Sequence, residues 1–134
     1  MKRLLVVIFQ AISISLFGTT YYVATNGNDN NPGTITQPFA TWQKGFNVAV
    51  AGDVVNIRGG IYYSSASASI AVEVSDKNGT SNNRITIRAY EGEVPVLDCS
   101  GMSANAARRG ISMSNCSYYT LIGLTVRNVK EYGQ

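Results

Sequence analysis

The chain has 134 residues, of which 45% are hydrophobic and 14% charged, and it contains no histidine. A chain without histidine has no Ser-His-Asp or Cys-His catalytic group and no His-ligated zinc. Two of the 11 basic residues lie in a leader described next, and the nine that remain nearly balance eight acidic ones. The net charge therefore says little about binding to nucleic acid or a membrane surface, and we expect neither as a partner.

The first 20 residues have the pattern of a secretory leader. Two basic residues are followed by an apolar run, LLVVIFQAISISLF, and then by small residues at Gly18–Thr20. A charged start, an apolar middle of about 14 residues and a small-residue exit are typical of a signal peptide, and the run is shorter than the ~20 residues of a membrane-spanning helix. We predict a signal peptide over 1–20, cleaved near Gly18 or Thr20, and one secreted or cell-surface domain over 21–134 that is free of the membrane after cleavage.

One amphipathic helix is expected early in the domain. Four apolar residues recur there at spacings of three and four: Phe39, Trp42, Phe46 and Val50. This spacing predicts a helix within 39–51 that begins near Thr41, after Pro38, and ends at Gly52.

The remaining pattern is that of short β-strands. The candidates are TYYVAT, DVVNIRGG, IAVEVS, RITIRAY, VPVLDC, GISM, YYTLIG and LTVRNV. Most are rich in β-branched residues and bounded by Gly, Asn, Asp, Ser or Pro. Closely spaced hairpin signals are missing, whereas a tetrad of apolar, polar, apolar and Arg recurs at Val55–Arg58, Ile85–Arg88 and Leu124–Arg127. Repetition of this kind favours a solenoid of stacked coils.

Two registers of the coils are compatible with the sequence. If the three tetrads stack directly, Arg58, Arg88 and Arg127 form a basic stripe that suits a polyanion. We prefer a second register, in which IAVEVS, RITIRAY and VPVLDC form one coil and GISM, YYTLIG and LTVRNV the next. That register places Arg88 and Arg127 on different faces, which avoids unfavourable stacking of like charges.

Two cysteines, Cys99 and Cys116, lie in the predicted secreted domain. In an oxidising compartment the pair is compatible with one disulfide, worth roughly 3 kcal/mol in the chain-entropy model. Two buried free thiols are the equally open alternative.

The chain resembles a known family. YYVATNGNDNNPGTITQPFATWQKGFNVAVAGDVVNIRGGIYY, then RITIRAYEGEVPVLD, then SYYTLIGLTVRN are similar to the N-terminal portion of secreted right-handed parallel β-helix proteins with the pectin lyase-like fold. Among these it is most similar to family 9 polysaccharide lyases (pectate lyase L-like) and chondroitinase B-like proteins. The resemblance implies an all-β, right-handed parallel β-helix, with an N-terminal cap containing the short helix and about two coils.

The resemblance also implies that the opening stretch has a structural role rather than a catalytic one. In such proteins the first strand and the Asn-rich loop lead into a helix that covers the bottom of the solenoid. The loop NGNDNNPGT, read alone, could be taken for a calcium loop. A single carboxylate, Asp29, supplies too few ligands for a calcium ion, which takes six to eight oxygens. Asx turns explain why the loop is rich in Asn.

No residue of this chain is assigned a catalytic, cofactor-binding or metal-binding role. Similar lyases use clustered Asp to hold calcium and a Lys base, so calcium is implied for the parent protein if it is a lyase, and an acidic polysaccharide is its expected partner. The acidic residues here are scattered, Glu91 and Glu93 fit a turn, and Lys77 fits a solvated loop. Two tyrosine pairs, 62–63 and 118–119, could face a sugar but fit the rim of a coil better.

We expect this chain to be a truncated N-terminal piece of a longer parent protein and to be inactive alone. Three functions remain open for that parent. A polysaccharide lyase cleaving pectate-like substrate by calcium-assisted β-elimination predicts clustered Asp and a Lys downstream. A β-helix hydrolase or epimerase predicts paired carboxylates. A non-catalytic surface or adhesion protein predicts monotonous further coils.

Overall fold

The computed structural model describes residues 18–102 and 108–129; residues 1–17 of the predicted leader lie outside this part. It contains one helix, α1 (Trp42–Val48), and nine short strands. The strands are β1 (Thr20–Val23), β2 (Val54–Ile57), β3 (Gly60–Tyr63), β4 (Ile70–Ser75), β5 (Ile85–Ala89), β6 (Pro95–Asp98), β7 (Arg109–Ser114), β8 (Tyr119–Ile122) and β9 (Thr125–Arg127). No described helix is long and apolar enough to cross a membrane.

The strands form three parallel sheets, in the orders β1-β2-β5-β8, β3-β6-β9 and β4-β7. Each successive trio of strands therefore makes one coil that stacks on the coil before it, and the predicted parallel β-helix is confirmed. The apolar core runs between the sheets, with Val55, Ile57 and Ile87 fully buried.

The pairing also decides the register. Strands β4, β5 and β6 pair with β7, β8 and β9, respectively, as the preferred register predicts. The alternative of an arginine stripe is wrong. Arg88 lies opposite Asn56 and its Nε donates to Asn56 Oδ1 at 2.9 Å, while Arg127 lies in a different sheet.

Helix α1 begins where predicted but ends earlier. The Thr41 hydroxyl caps it by accepting from the Lys44 N–H at 3.1 Å, as N-cap residues do. The helix ends at Val48 because the Val50 N–H donates instead to the Asp53 carboxylate at 2.9 Å. The prediction that Val50 belongs to the apolar helix face is therefore wrong, and its side chain is 59% exposed.

Helix α1 closes the lower end of the core. Trp42 and Phe46 are buried beneath the first coil. A Cβ at Gly45 would lie 2.9 Å from side-chain atoms of Val23 and Val55, so glycine permits the close approach of helix and sheet. Gln43 fixes the helix to the edge of β4: its Oε1 accepts from Glu73 N and its Nε2 donates to Glu73 O, both at 2.8 Å.

The Asn-rich opening covers the edge of β1. Tyr22 N donates to Gly33 O, and Phe39 N donates to Tyr22 O. Asp29 accepts from the backbone N–H groups of Ala40 and Thr41 at 2.8 and 3.0 Å. The loop therefore protects an edge strand that would otherwise be open to pairing with another chain.

The folded part starts before Tyr21. Thr20 is the first residue of β1 and lies opposite Val54. Thr19 N donates to Asp53 Oδ1 at 2.7 Å, and the Asp53 side chain is buried.

The upper coil is less covered than the coils below it. Tyr21, Val55, Ile87 and Leu121 form one column of stacked residues. Val55 and Ile87 are fully buried, whereas Leu121 at the top is 43% exposed. The apolar face of β8 is thus available for stacking.

Candidate functional site

One concave site lies in a groove between α1 and β3, here called the α1–β3 groove. Residues 40–43 form one side and residues 61–65 the other, and the volume is about 400 Å³. Among the described strands β3 has one partner, β6, so the groove follows an unpaired strand edge. The helix cap and the first coil together create this site.

The floor of the groove contains the single tryptophan of the chain. Trp42 is 2% exposed, and its ring meets that of Tyr62 edge-on at a centroid distance of 5.8 Å. Its indole Nε1 has no hydrogen-bond partner among the described residues. A buried N–H without an acceptor costs about 1–3 kcal/mol, so this atom is an unsatisfied donor of the core.

The two tyrosines of β3 point in opposite directions. Tyr62 is buried, and its hydroxyl donates to Arg58 O at 2.8 Å. Burial, with a smaller contribution from Glu93, raises the pKa of Tyr62 to about 12. Tyr63 is 71% exposed at the rim of the groove. Of the predicted pair, only Tyr63 can present its ring to a ligand.

A second, polar cleft surrounds Arg58 at the corner after β2. The guanidinium donates through Nε and Nη2 to the Glu93 carboxylate at 2.7–3.0 Å and lies 4.6 Å from the centre of the Tyr90 ring. Gly59 N also donates to Glu93 Oε2 at 2.6 Å. These contacts, first that with Arg58, lower the pKa of Glu93 to about 2. A carboxylate held ionised in this way stabilises the corner and is unsuited to act as a general acid.

Lys77 is not the solvated lysine that the sequence predicts. Its ammonium donates to the carbonyl oxygens of Phe46 and Ala49 at 3.3 and 2.9 Å and also to that of Asn47. These carbonyls end α1, where a cation is favoured. Burial lowers the pKa of Lys77, and the nearby charge of Asp53 opposes this effect.

Asp98 is the centre of a third polar network. Ser100, Asn128 and Arg127 all donate to its carboxylate, and these bonds, those of Ser100 first, lower its pKa. The network joins β6 to the end of β9. These hydrogen bonds satisfy the buried carboxylate, so its burial needs no bound ligand to explain it.

The described residues do not provide a metal site. Within 18–102 and 108–129 no three His, Cys, Asp or Glu side chains lie together as metal ligands. Asp29, in the loop that could be mistaken for a calcium site, has both oxygens engaged by Ala40 and Thr41. Cys99 and Cys116 are free thiols here, Cys99 buried and Cys116 half-buried. Calcium therefore does not fit the part of the chain that the structure describes.

Comparison with known proteins places this architecture in a family. The model of the Pel9A-like, right-handed β-helix region matches residues 21–134. The chain belongs to the Pel9A-like right-handed β-helix family. It is 30% identical over 108 residues to pectate lyase PEL9 of Emericella nidulans, covering 81% of this chain and 25% of that protein.

Two further relatives agree with this assignment. Pectate lyase L of Paenibacillus polymyxa is 33% identical over 123 residues, covering 92% of this chain and 26% of that protein. A solved rhamnogalacturonan lyase is 32% identical with a TM-score of 0.68, covering 81% of this chain and 28% of that one. The chain thus spans about a quarter of the length of the pectate lyases it matches, and the predicted resemblance to polysaccharide lyases of the β-helix class is confirmed.

Proposed function

We propose that the chain is the amino-terminal part of a secreted polysaccharide lyase that cleaves a pectate-like acidic polysaccharide by calcium-assisted β-elimination. The observation that carries the proposal is the match to two proteins named pectate lyases over most of this chain and about a quarter of each relative. The segment would supply the lower cap and the first coils of the catalytic β-helix.

The exposed upper coil supports a continuation of the stack. Leu121 and Ile122 of β8 and Val126 of β9 are 43%, 52% and 36% exposed. A further coil in the same register would bury them as β5 buries β2. The calcium ligands and the base belong, in this proposal, to such coils, because no three carboxylates of the described residues lie together as metal ligands.

The leader forms part of the same proposal. Cleavage after Thr20 would remove the β1 residue opposite Val54 and the Thr19 N–H that pairs with Asp53. Cleavage after Gly18 keeps both contacts and leaves a small residue next to the cut. We therefore place the start of the mature chain at Thr19.

The proposal is tested on the protein made from the complete reading frame. Polygalacturonate is incubated with it in calcium and, separately, in excess chelator, and both new reducing ends and ultraviolet absorbance of unsaturated uronate are followed. β-Elimination predicts that both signals rise together and only with calcium. A neutral galactan, treated in the same way, is the matched control substrate.

Each other result overturns a defined part of the proposal. New reducing ends without absorbance would mean hydrolysis, and no cleavage of any acidic polysaccharide would favour a non-catalytic β-helix. The mass of the secreted chain checks the leader, since a chain that begins at Tyr21 or retains residue 1 contradicts cleavage after Gly18.

A further inference from the structure

Asp53 is a buried carboxylate that forms no ion pair with any described basic side chain. It is 3% exposed, and its two oxygens accept hydrogen bonds from backbone N–H groups. Oδ1 accepts from Thr19 at 2.7 Å, and Oδ2 accepts from Val50 at 2.9 Å. The ion pairs among the described residues involve other carboxylates. Because desolvation of an uncompensated charge is costly, buried charges are usually paired, and a cation beside Asp53 is expected.

The basic side chains closest to this turn are engaged elsewhere. Lys77 is near enough for the charge of Asp53 to act on its pKa, but its ammonium donates to the carbonyls that end α1. Arg84, directly before β5, donates to Thr120 Oγ1 at 2.7 Å in the coil above. Lys44 of α1 lies over an aromatic ring. The described side chains therefore leave the Asp53 carboxylate without a direct cationic partner.

The backbone nitrogen of Thr19 is fixed beside this carboxylate. Val54 N donates to Thr19 O at 2.9 Å, and Thr20 lies opposite Val54 in the parallel ladder. The ladder holds the Thr19 nitrogen at Asp53 Oδ1 whether or not a residue precedes it. A charge at this nitrogen needs no ordering of a long side chain, which is the main entropic cost of an exposed ion pair.

Cleavage of the bond between Gly18 and Thr19 would make this nitrogen a cation. Hydrolysis adds one water across the amide: the carbonyl of Gly18 leaves as a carboxylate with the leader, and the nitrogen of Thr19 becomes an α-ammonium at neutral pH. The hydrogen bond to Asp53 then joins opposite charges, and such bonds are roughly twice as strong as neutral ones.

The same bond is blocked once the coil has folded. A Cβ at residue 18 would lie 1.8 Å from Gly52 O, so Gly18 packs directly on the backbone of the turn before β2. Peptidases cut exposed, mobile segments, whereas Thr19 is already bonded to Val54. Cleavage therefore comes before β1 joins the sheet, and the new amino terminus is present when the strand docks.

We propose that removal of the leader after Gly18 creates a structural ion pair between the α-ammonium of Thr19 and the buried carboxylate of Asp53. The inference rests on the leader cleavage included in the proposed function. The pair fastens β1 to the turn before β2, and through the bond from Val50 N it also joins the end of α1. Processing thus completes the lower end of the β-helix.

The test compares two forms of the protein from the complete reading frame that differ by one residue. Each is made behind a ubiquitin-like tag whose protease cuts directly before Thr19 or directly before Gly18. The second form is the matched control, because Gly18 fits the structure as it stands while the Thr19 nitrogen remains an uncharged amide. At pH 7 urea unfolding should give the Thr19 form an unfolding equilibrium constant about tenfold smaller, the difference between a charged and a neutral hydrogen bond.

Titration of the new amino group is the second measurement. The Thr19 form is labelled with ¹³C-threonine, and the signal of residue 19 is assigned by its loss in Thr19→Ser. The pKa of the α-ammonium should lie above that of an unpaired amino terminus, because the carboxylate favours the charged form, and Asp53→Asn should abolish the shift. The added stability is then present below the ordinary pKa of the amine and lost as the pH rises through the raised one.

Equal stability of the two forms, or an amino group that titrates like an unpaired terminus, would overturn the ion pair. Both results are obtained with Asp53 in place, so they stand even if Asp53→Asn does not fold. The mass of the secreted chain tests the leader separately: a start other than Thr19 removes the processing step, whereas a start at Thr19 with an ordinary pKa removes only the ion pair. The polygalacturonate assay on the Thr19 form reports on the lyase proposal alone.

Discussion

Gln43 offers a sharp test of how the helix cap is attached to the coils. Its side-chain amide makes two hydrogen bonds of 2.8 Å to the backbone of Glu73, thirty residues away, and its Nε2 lies 2.8 Å from Asn47 Oδ1. Each backbone contact is worth about 1 kcal/mol net, and the contact one helical turn away about 0.3 kcal/mol. Gln43→Ala should therefore lower the free energy of unfolding by about 2 kcal/mol.

Urea unfolding followed by the fluorescence of Trp42 measures this loss. With a denaturant slope of about 2 kcal/mol per molar, the midpoint should fall by about 1 M at an unchanged slope. Gln37→Ala is the matched control, because Gln37 is exposed and its hydrogen bonds are made by its backbone. A midpoint shift no larger than that of the control would refute the view that Gln43 ties α1 to β4.

Three further predictions concern burial, charge and the helix end. Ile87→Ala should lower the free energy of unfolding by about 2–5 kcal/mol in any form of the protein. Leu121→Ala should lower it by under about 1 kcal/mol in this chain and by nearly as much as Ile87→Ala in the complete protein. Unfolding curves of both forms measure these losses. Because the pKa of Glu93 falls from 4.5 to about 2 on folding, its contribution to stability is present above pH 4.5 and lost as the pH drops toward 2. Glu93→Gln should therefore flatten the dependence of Tm on pH in that window. An unaltered slope would contradict the ion pair with Arg58. Lys77→Met should destabilise by about 2 kcal/mol through the unpaired carbonyls that end α1, and a loss no greater than that of Lys44→Met would argue against this capping role.

The coils were predictable because their signal is local. Short β-branched runs bounded by turn residues mark eight of the nine described strands, whereas β3 (Gly60–Tyr63) was not predicted. Repulsion between stacked arginines was sufficient to choose the register in which Arg88 and Arg127 separate. The start of α1 was equally readable from Thr41 and the spacing of Phe39, Trp42 and Phe46. The end of α1 could not be predicted in this way, because the Val50 N–H donates a hydrogen bond to the Asp53 carboxylate, which lies beyond the helix.

The polar contacts between coils could not be predicted in the same way. Gln43 meets Glu73, and Lys77 meets the end of α1, across about thirty residues of chain. Such contacts depend on which residues the stacking brings together. The α1–β3 groove was missed for the same reason, although Tyr62 and Tyr63 were noted as aromatic; the unsatisfied Trp42 donor becomes visible only when its buried surroundings are known.

We propose above that this chain is the beginning of a longer lyase β-helix, and the first experiment to do is to read the coding DNA past the codon for Gln134. If the proposal holds, the frame stays open and encodes further coils, with Asp residues clustered on successive strands and a Lys one coil away. A stop codon at that point, or coils that contain no acidic cluster, would contradict it.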